Sequence, residues 1–170
     1  YYMRGKTLSR FSITEFPYNT DIRPASDKPA TDNDFWFYSG IKRFTGNITG
    51  TRLVVRMDSG ASPTFSGDIT IEGPIRMQID ANQSSSRSAV LSGRVECSAF
   101  NELQAAPSAT PSKADLTFTH ADNSIGALYV NWWNFHSGAD NSLGTNAIVY
   151  LGQRVANYGT IDLGGFNQRI

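Results

Sequence analysis

Apolar residues in this chain come in short runs that alternate with polar ones, not in the i, i+3, i+4, i+7 spacing of an amphipathic helix. The clearest runs are Ile41–Phe44, Thr51–Met57, Asp68–Ile71, Ile75–Ile79, Ala89–Ala99, Ala114–Thr119, Ala127–Phe135 and Ala147–Val155. Leu53, Val55 and Met57 fall on one side of the second run, and Ile75, Met77 and Ile79 on one side of the fourth. A period of two is what a strand with one buried and one wet face requires. Only Leu8–Ser12 offers a turn or two of helix. Turn-forming residues separate the runs at Asp58–Gly60, Gly73-Pro74, Asn82–Ser86, Pro107–Pro111, Asp122–Ser124 and Ser137–Asn141. About eight short strands with loops of uneven length predict an all-β chain. The expected architecture is an antiparallel β-sandwich, a jelly roll with long connecting loops.

Thr20–Asp34 is polar, carries Pro24 and Pro29, and reads as a surface loop. The expected organisation is one jelly-roll domain over 1–170, with 1–34 an N-terminal segment and long loop and 35–170 the main sandwich. No internal repeat is evident at this level.

Composition narrows the function classes. The 170 residues carry 15 Lys+Arg against 15 Asp+Glu, so the chain is not built to neutralise phosphates over a wide face. With 39% hydrophobic and 12% aromatic residues it can bury a core and is not a disordered chain. No apolar stretch approaches the roughly 20 residues of a membrane-spanning helix. A single cysteine, Cys97, excludes an internal disulfide and reads as a buried, inert thiol.

Candidate chemistry is sparse. His120 with Asp122, and His136 with Asp140, are the imaginable ligand pairs, but zinc takes three or four protein ligands and no ligand motif is present. No nucleophile motif occurs, and Gly46–Gly50 lacks the Lys-Ser/Thr of a phosphate loop. The reading is therefore of a non-enzyme with no catalytic residue, no metal and no cofactor. The aromatic clusters Phe35–Tyr38 and Tyr129–Phe135 are more informative, because they put aromatics on both faces of a strand. Trp36, Trp132 and Trp133, with Asn131 and Asn134 beside them, form a candidate interface or ligand platform. Arg52, Val54 and Arg56 alternate, so Arg52 and Arg56 mark a candidate basic outer face that is wet or meets acids or RNA.

The order of segments resembles the jelly-roll capsid proteins of picorna-like positive-strand RNA viruses. Three stretches carry the resemblance: Gly5–Phe11, Phe35–Met57, and Gly93–Phe100 followed by Ala147–Phe166. Ala156-Asn-Tyr158 stands where some relatives have an acidic pair, so the resemblance carries no catalytic role to this chain. It implies a structural subunit of an icosahedral capsid. Such a subunit would assemble with other capsid subunits in the host cytoplasm and reside in the virion. Genomic RNA would be met through arms, and a host receptor at the surface. The alternative reading of the same composition is a binding module, either a trimeric phage-type receptor-binding knob or a lectin-like carbohydrate-binding domain.

Overall fold

The computed structural model describes residues 2–3, 15–23, 34–37, 43–57, 62–79, 87–104, 114–130, 133–151 and 159–168. These contain strands and no helix. In chain order the strands are β1 (Tyr2–Met3), β2 (Glu15–Phe16), β3 (Thr20–Ile22), β4 (Asp34–Phe37), β5 (Arg43–Phe44), β6 (Ile48–Gly50), β7 (Leu53–Met57), β8 (Thr64–Phe65) and β9 (Ile69–Ile79). They continue with β10 (Arg87–Leu91), β11 (Val95–Gln104), β12 (Ala114–Phe118), β13 (Ser124–Ile125), β14 (Ala127–Val130), β15 (Trp133–Ser137), β16 (Ile148–Leu151) and β17 (Ile161–Asp162).

One sheet follows the order β1-β3-β6-β9-β11-β14-β16, with β4, β7 and β13 paired beside that path; the other follows β2-β5-β8-β10-β12-β15-β17. Every strand pairing is parallel. Among the described residues no strand pairs with the one that follows it; each pairs with its counterpart one circuit away. The molecule is thus a parallel β-solenoid whose coils stack along an axis and give strands to two facing sheets. This overturns the antiparallel jelly roll expected from the sequence. The all-β content is as expected, but a jelly roll pairs its strands antiparallel, whereas here the pairings are parallel, between strands one circuit apart.

The tight corners explain why the coils stack. Thr45-Gly46-Asn47, Ser66-Gly67-Asp68 and Ser92-Gly93-Arg94 each carry the chain from the second sheet to the first. The three glycines are superposed. A Cβ on Gly67 would sit 2.2 Å from the Gly46 carbonyl oxygen, and one on Gly93 2.2 Å from that of Gly67. Beside them runs a ladder of side-chain acceptors. Asn47 N–H donates to Asn19 Oδ1 at 2.9 Å and Asp68 N–H to Asn47 Oδ1 at 3.0 Å. Arg94 N–H donates to Asp68 Oδ1 at 2.9 Å and Val95 N–H to Asn123 Oδ1 at 2.7 Å. The Ser66 and Ser92 hydroxyls donate to the Phe44 and Phe65 carbonyls at 3.3 and 3.2 Å. Corner N–H groups that would otherwise lack partners are thereby satisfied one coil at a time. The chain does carry an internal repeat: Phe44-Thr-Gly-Asn-Ile48, Phe65-Ser-Gly-Asp-Ile69 and Leu91-Ser-Gly-Arg-Val95.

Inside, like residues stack on like. Phe16, Phe44, Phe65, Leu91 and Phe118 occupy one register column of the second sheet. The Phe44 and Phe65 rings are stacked at 4.9 Å. Phe118 meets Phe135 at 5.4 Å and Phe100, from the opposite sheet, at 5.2 Å, both edge to face. The facing sheet answers with columns such as Ile48–Ile69–Val95 and Leu53–Ile75–Phe100–Leu128. Burying each large side chain contributes about 1.5–3 kcal/mol, and edge-to-face pairs add about 0.5–1.5.

Several local expectations change with the topology. Gly93 splits the expected strand Ala89–Ala99 into β10 and β11, because a corner here needs only three residues. Gly73-Pro74, expected as a breaker, lies inside β9; opposite it the β11 register slips between Cys97 and Ala99. A bulge of this kind accommodates the proline's missing N–H. Thr20–Ile22 is strand β3, not loop. Leu8–Ser12 and the breakers Asp58–Gly60, Asn82–Ser86 and Pro107–Pro111 fall outside the described residues.

Cys97 is buried, 6% exposed, and burial pushes its thiol up to about 12, against weaker lowering by backbone hydrogen bonds at Ile75 and Ala99. At pH 8 only about one such thiol in ten thousand is thiolate. The native protein is expected to resist iodoacetamide for hours under conditions in which the urea-unfolded chain is alkylated within minutes. Equal rates, followed by mass spectrometry, would contradict this burial.

Candidate functional site

Alternation places every second residue of the second sheet on its outer face, and parallel pairing lines these residues up in files. One file reads Glu15, Arg43, Thr64, Val90, Thr117, His136, Asp162 in register. A second reads Ser88, Asp115, Asn134 along β10, β12 and β15. All are partly or fully exposed. Val90 aside, both files are polar or charged, and successive strands are spaced about 4.8 Å apart.

Toward the later coils the files join into a network. Asn134 donates through Nδ2 to Asp115 Oδ1 at 3.0 Å, and the Thr160 hydroxyl donates to Asn134 Oδ1 at 2.9 Å. The His136 ring lies between two carboxylates, with Nε2 3.4 Å from Asp115 and Nδ1 3.4 Å from Asp162. Asp162 Oδ1 also accepts the Gly164 N–H at 2.9 Å. That backbone bond first, and then His136, hold the Asp162 carboxyl below the ordinary aspartate range. Asp162 is thus an ionised acceptor, not a proton donor. Residues far apart in sequence, 115, 134, 136, 160 and 162, therefore present a fixed pattern of donors and acceptors on one flat face. Among the described residues, no group of three His, Cys, Asp or Glu side chains is placed to hold a metal ion.

The sequence reading named two members of this network for other reasons: Asn134 for its place beside the tryptophans, and His136 as an imagined ligand partner of Asp140. Trp133 opens β15 opposite Ala114, while Asn131 and Trp132 lie outside the described residues. Trp36 belongs to β4 at the side of the other sheet, so Trp36 and Asn134 do not share a sheet. Trp36 stands in register opposite Arg56 of β7. Arg52, just before β7, is partly buried. The face expected to be wet around it carries Val54 fully buried, which departs from a simple basic outer face. Of the imagined ligand pairs, Asp140 Oδ1 accepts the Asn167 N–H at 2.8 Å, and His120 Nδ1 accepts the Asp122 N–H at 3.1 Å. Asp115 and Asp162, and their grouping with His136, escaped the sequence reading because only the coil register brings them together; once the repeat is aligned, they fall on adjacent rungs. Comparison with protein families, with curated proteins and with solved structures gave no match to this chain.

Proposed function

We propose that this chain is a carbohydrate-binding module that lays an extended glycan along the outer face of its second sheet. One observation carries the reading: files of hydroxyl, amide, imidazole and carboxylate groups repeat rung by rung on a flat parallel face, and their ends are locked by hydrogen bonds among Asp115, Asn134, His136, Thr160 and Asp162. A polymer that repeats its hydroxyls along its length is the ligand whose chemistry matches such a ladder. Zero net charge favours a neutral or mildly acidic glycan over a polyphosphate. This is the lectin-like alternative raised by the sequence. The capsid reading rested on an antiparallel jelly roll, and the sheets here are parallel.

Affinity electrophoresis through gels containing dextran, xylan or polygalacturonate tests the proposal. Retardation by at least one polymer is expected. Loss of one neutral hydrogen bond costs about 0.5–1.5 kcal/mol, so Asn134→Ala and His136→Ala should each weaken binding about two- to tenfold. Both side chains are partly exposed, so the melting temperature should barely move. No retardation by any of the three polymers, or retardation untouched by both variants, would refute the sheet face as the site.

A further inference from the structure

The regular corner is abandoned in the last two full coils. Where earlier coils turn in three residues, the chain between β12 and β13 runs through 119–123, and between β15 and β16 through 138–147. These two loops enclose a cleft of about 370 Å³ whose walls include Arg94, Asp122, Ser124, Asn141, Thr145 and Asn146. That volume lies within the roughly 300–1,000 Å³ of small-molecule sites.

The walls are held rigidly by residues that do not themselves supply the spare polar groups. Buried Asn123 donates to the carbonyls of His120 and Ser142, at 3.0 and 2.5 Å, while its Oδ1 receives the Val95 N–H. Buried Ser142 shares a hydroxyl contact with Ser137 at 2.9 Å. Gln168 receives the Leu143 N–H on Oε1 and donates to Ser137 Oγ and the Ala139 carbonyl. Gly144 has φ +84°, and a Cβ there would lie 2.2 Å from the Asn123 carbonyl, so only glycine lets the long loop close this tightly. Asn141 adopts a left-handed φ of 51°. Strain and buried polar bonds concentrated in one place mark a shape that regular stacking does not require.

Within this frame the side chains of Asp122, Ser124, Thr145 and Asn146 make no hydrogen bond or ion pair among the described residues. They offer a carboxylate, two hydroxyls and an amide toward one small space. Arg94 is already engaged, its Nε donating to the Asp122 carbonyl at 3.0 Å and its Nη2 lying 3.3 Å from Glu96. Among the described residues the cleft therefore has no surplus cation for a phosphate and no ligand triad for a metal. We infer that it is a second binding site, one that takes a single neutral sugar ring through hydroxyl contacts to Asp122, Ser124, Thr145 and Asn146. It is built from corner loops, not from the outer face of the second sheet, and it stands or falls independently of polymer binding there.

The test is backbone amide NMR on the whole chain, titrated with methyl α-glucopyranoside, methyl α-galactopyranoside and methyl α-mannopyranoside at millimolar concentrations. At least one sugar is expected to shift the amides of Ser124, Gly126, Gly144 and Thr145 in a saturable way. Asn146→Ala should weaken that binding about two- to tenfold, and Thr145→Val should do likewise should the first variant misfold. His136→Ala, which disables the sheet face, should leave it unchanged. If none of the three sugars shifts the cleft amides, or if neither cleft variant alters the titration, the inference is overturned.

Discussion

Gly67→Ala is expected to melt roughly 10 °C or more below the wild type, or to fail to fold. The added methyl would lie 2.2 Å from the Gly46 carbonyl oxygen and 2.9 Å from the Asn47 nitrogen, both backbone atoms that cannot swing aside. To relieve the clash, the coil at 64–79 would have to lift off the one at 43–57. That would break the Asp68 N–H bond to Asn47 and the Ser66 bond to the Phe44 carbonyl. The loss therefore exceeds about 4 kcal/mol, the range reached only when packing or a buried network fails. Gly165→Ala is the control. Its φ is +83°, but nothing lies within 4 Å of the new methyl, so only the left-handed backbone penalty of about 1 kcal/mol applies. Scanning fluorimetry on the two variants separates close approach from backbone conformation. Similar melting temperatures would mean that the glycine column is not what spaces the coils.

The second large effect is Phe118→Ala. Phe118 is fully buried, and its ring bridges the sheets through Phe100 and extends the aromatic packing through Phe135. Truncation removes both contacts and leaves a cavity, at a cost of about 3–5 kcal/mol. Phe118→Leu keeps most of the volume and should cost about 1.5 kcal/mol or less. In a solenoid each coil contacts only its neighbours, so the damage should stay local. Hydrogen exchange is expected to accelerate across 114–151 while amides of 43–79 keep their protection. Uniform acceleration along the chain would show that the coils unfold as one cooperative block.

The period-two runs marked where strands would form, and the buried set of Leu53, Val55, Ile75 and Met77 matches that reading. Pairing was not legible. A corner such as Ser92-Gly-Arg94 is too short to look like a boundary, so β10 and β11 read as one strand. The repeat was hidden by unequal loops: its phenylalanine or leucine falls at 44, 65 and 91, and no fixed period connects these positions. A search for a large apolar residue followed by Ser/Thr-Gly, a polar residue and Ile or Val would have found it. The site shares this cause. Asp115, His136 and Asp162 carry no local motif, and only stacking puts them on neighbouring rungs. Cys97 was legible because it falls two residues after Val95 in a strand-like run, on the same inward face, and needed no topology to be read.

The corner ladder also bears on how the molecule carries load. Its bonds, such as Asp68 to the Arg94 N–H, run along the solenoid axis, as do the sheet hydrogen bonds. A pull along the axis concentrates force on the outermost coil alone, which peels before the next is stressed. Each released coil of some two dozen residues would add about 80 Å of slack, at roughly 3.3–3.6 Å per residue. A pull across the axis is shared by every rung at once. The same fold is therefore stiff to shear along its long polar face and extensible from its ends.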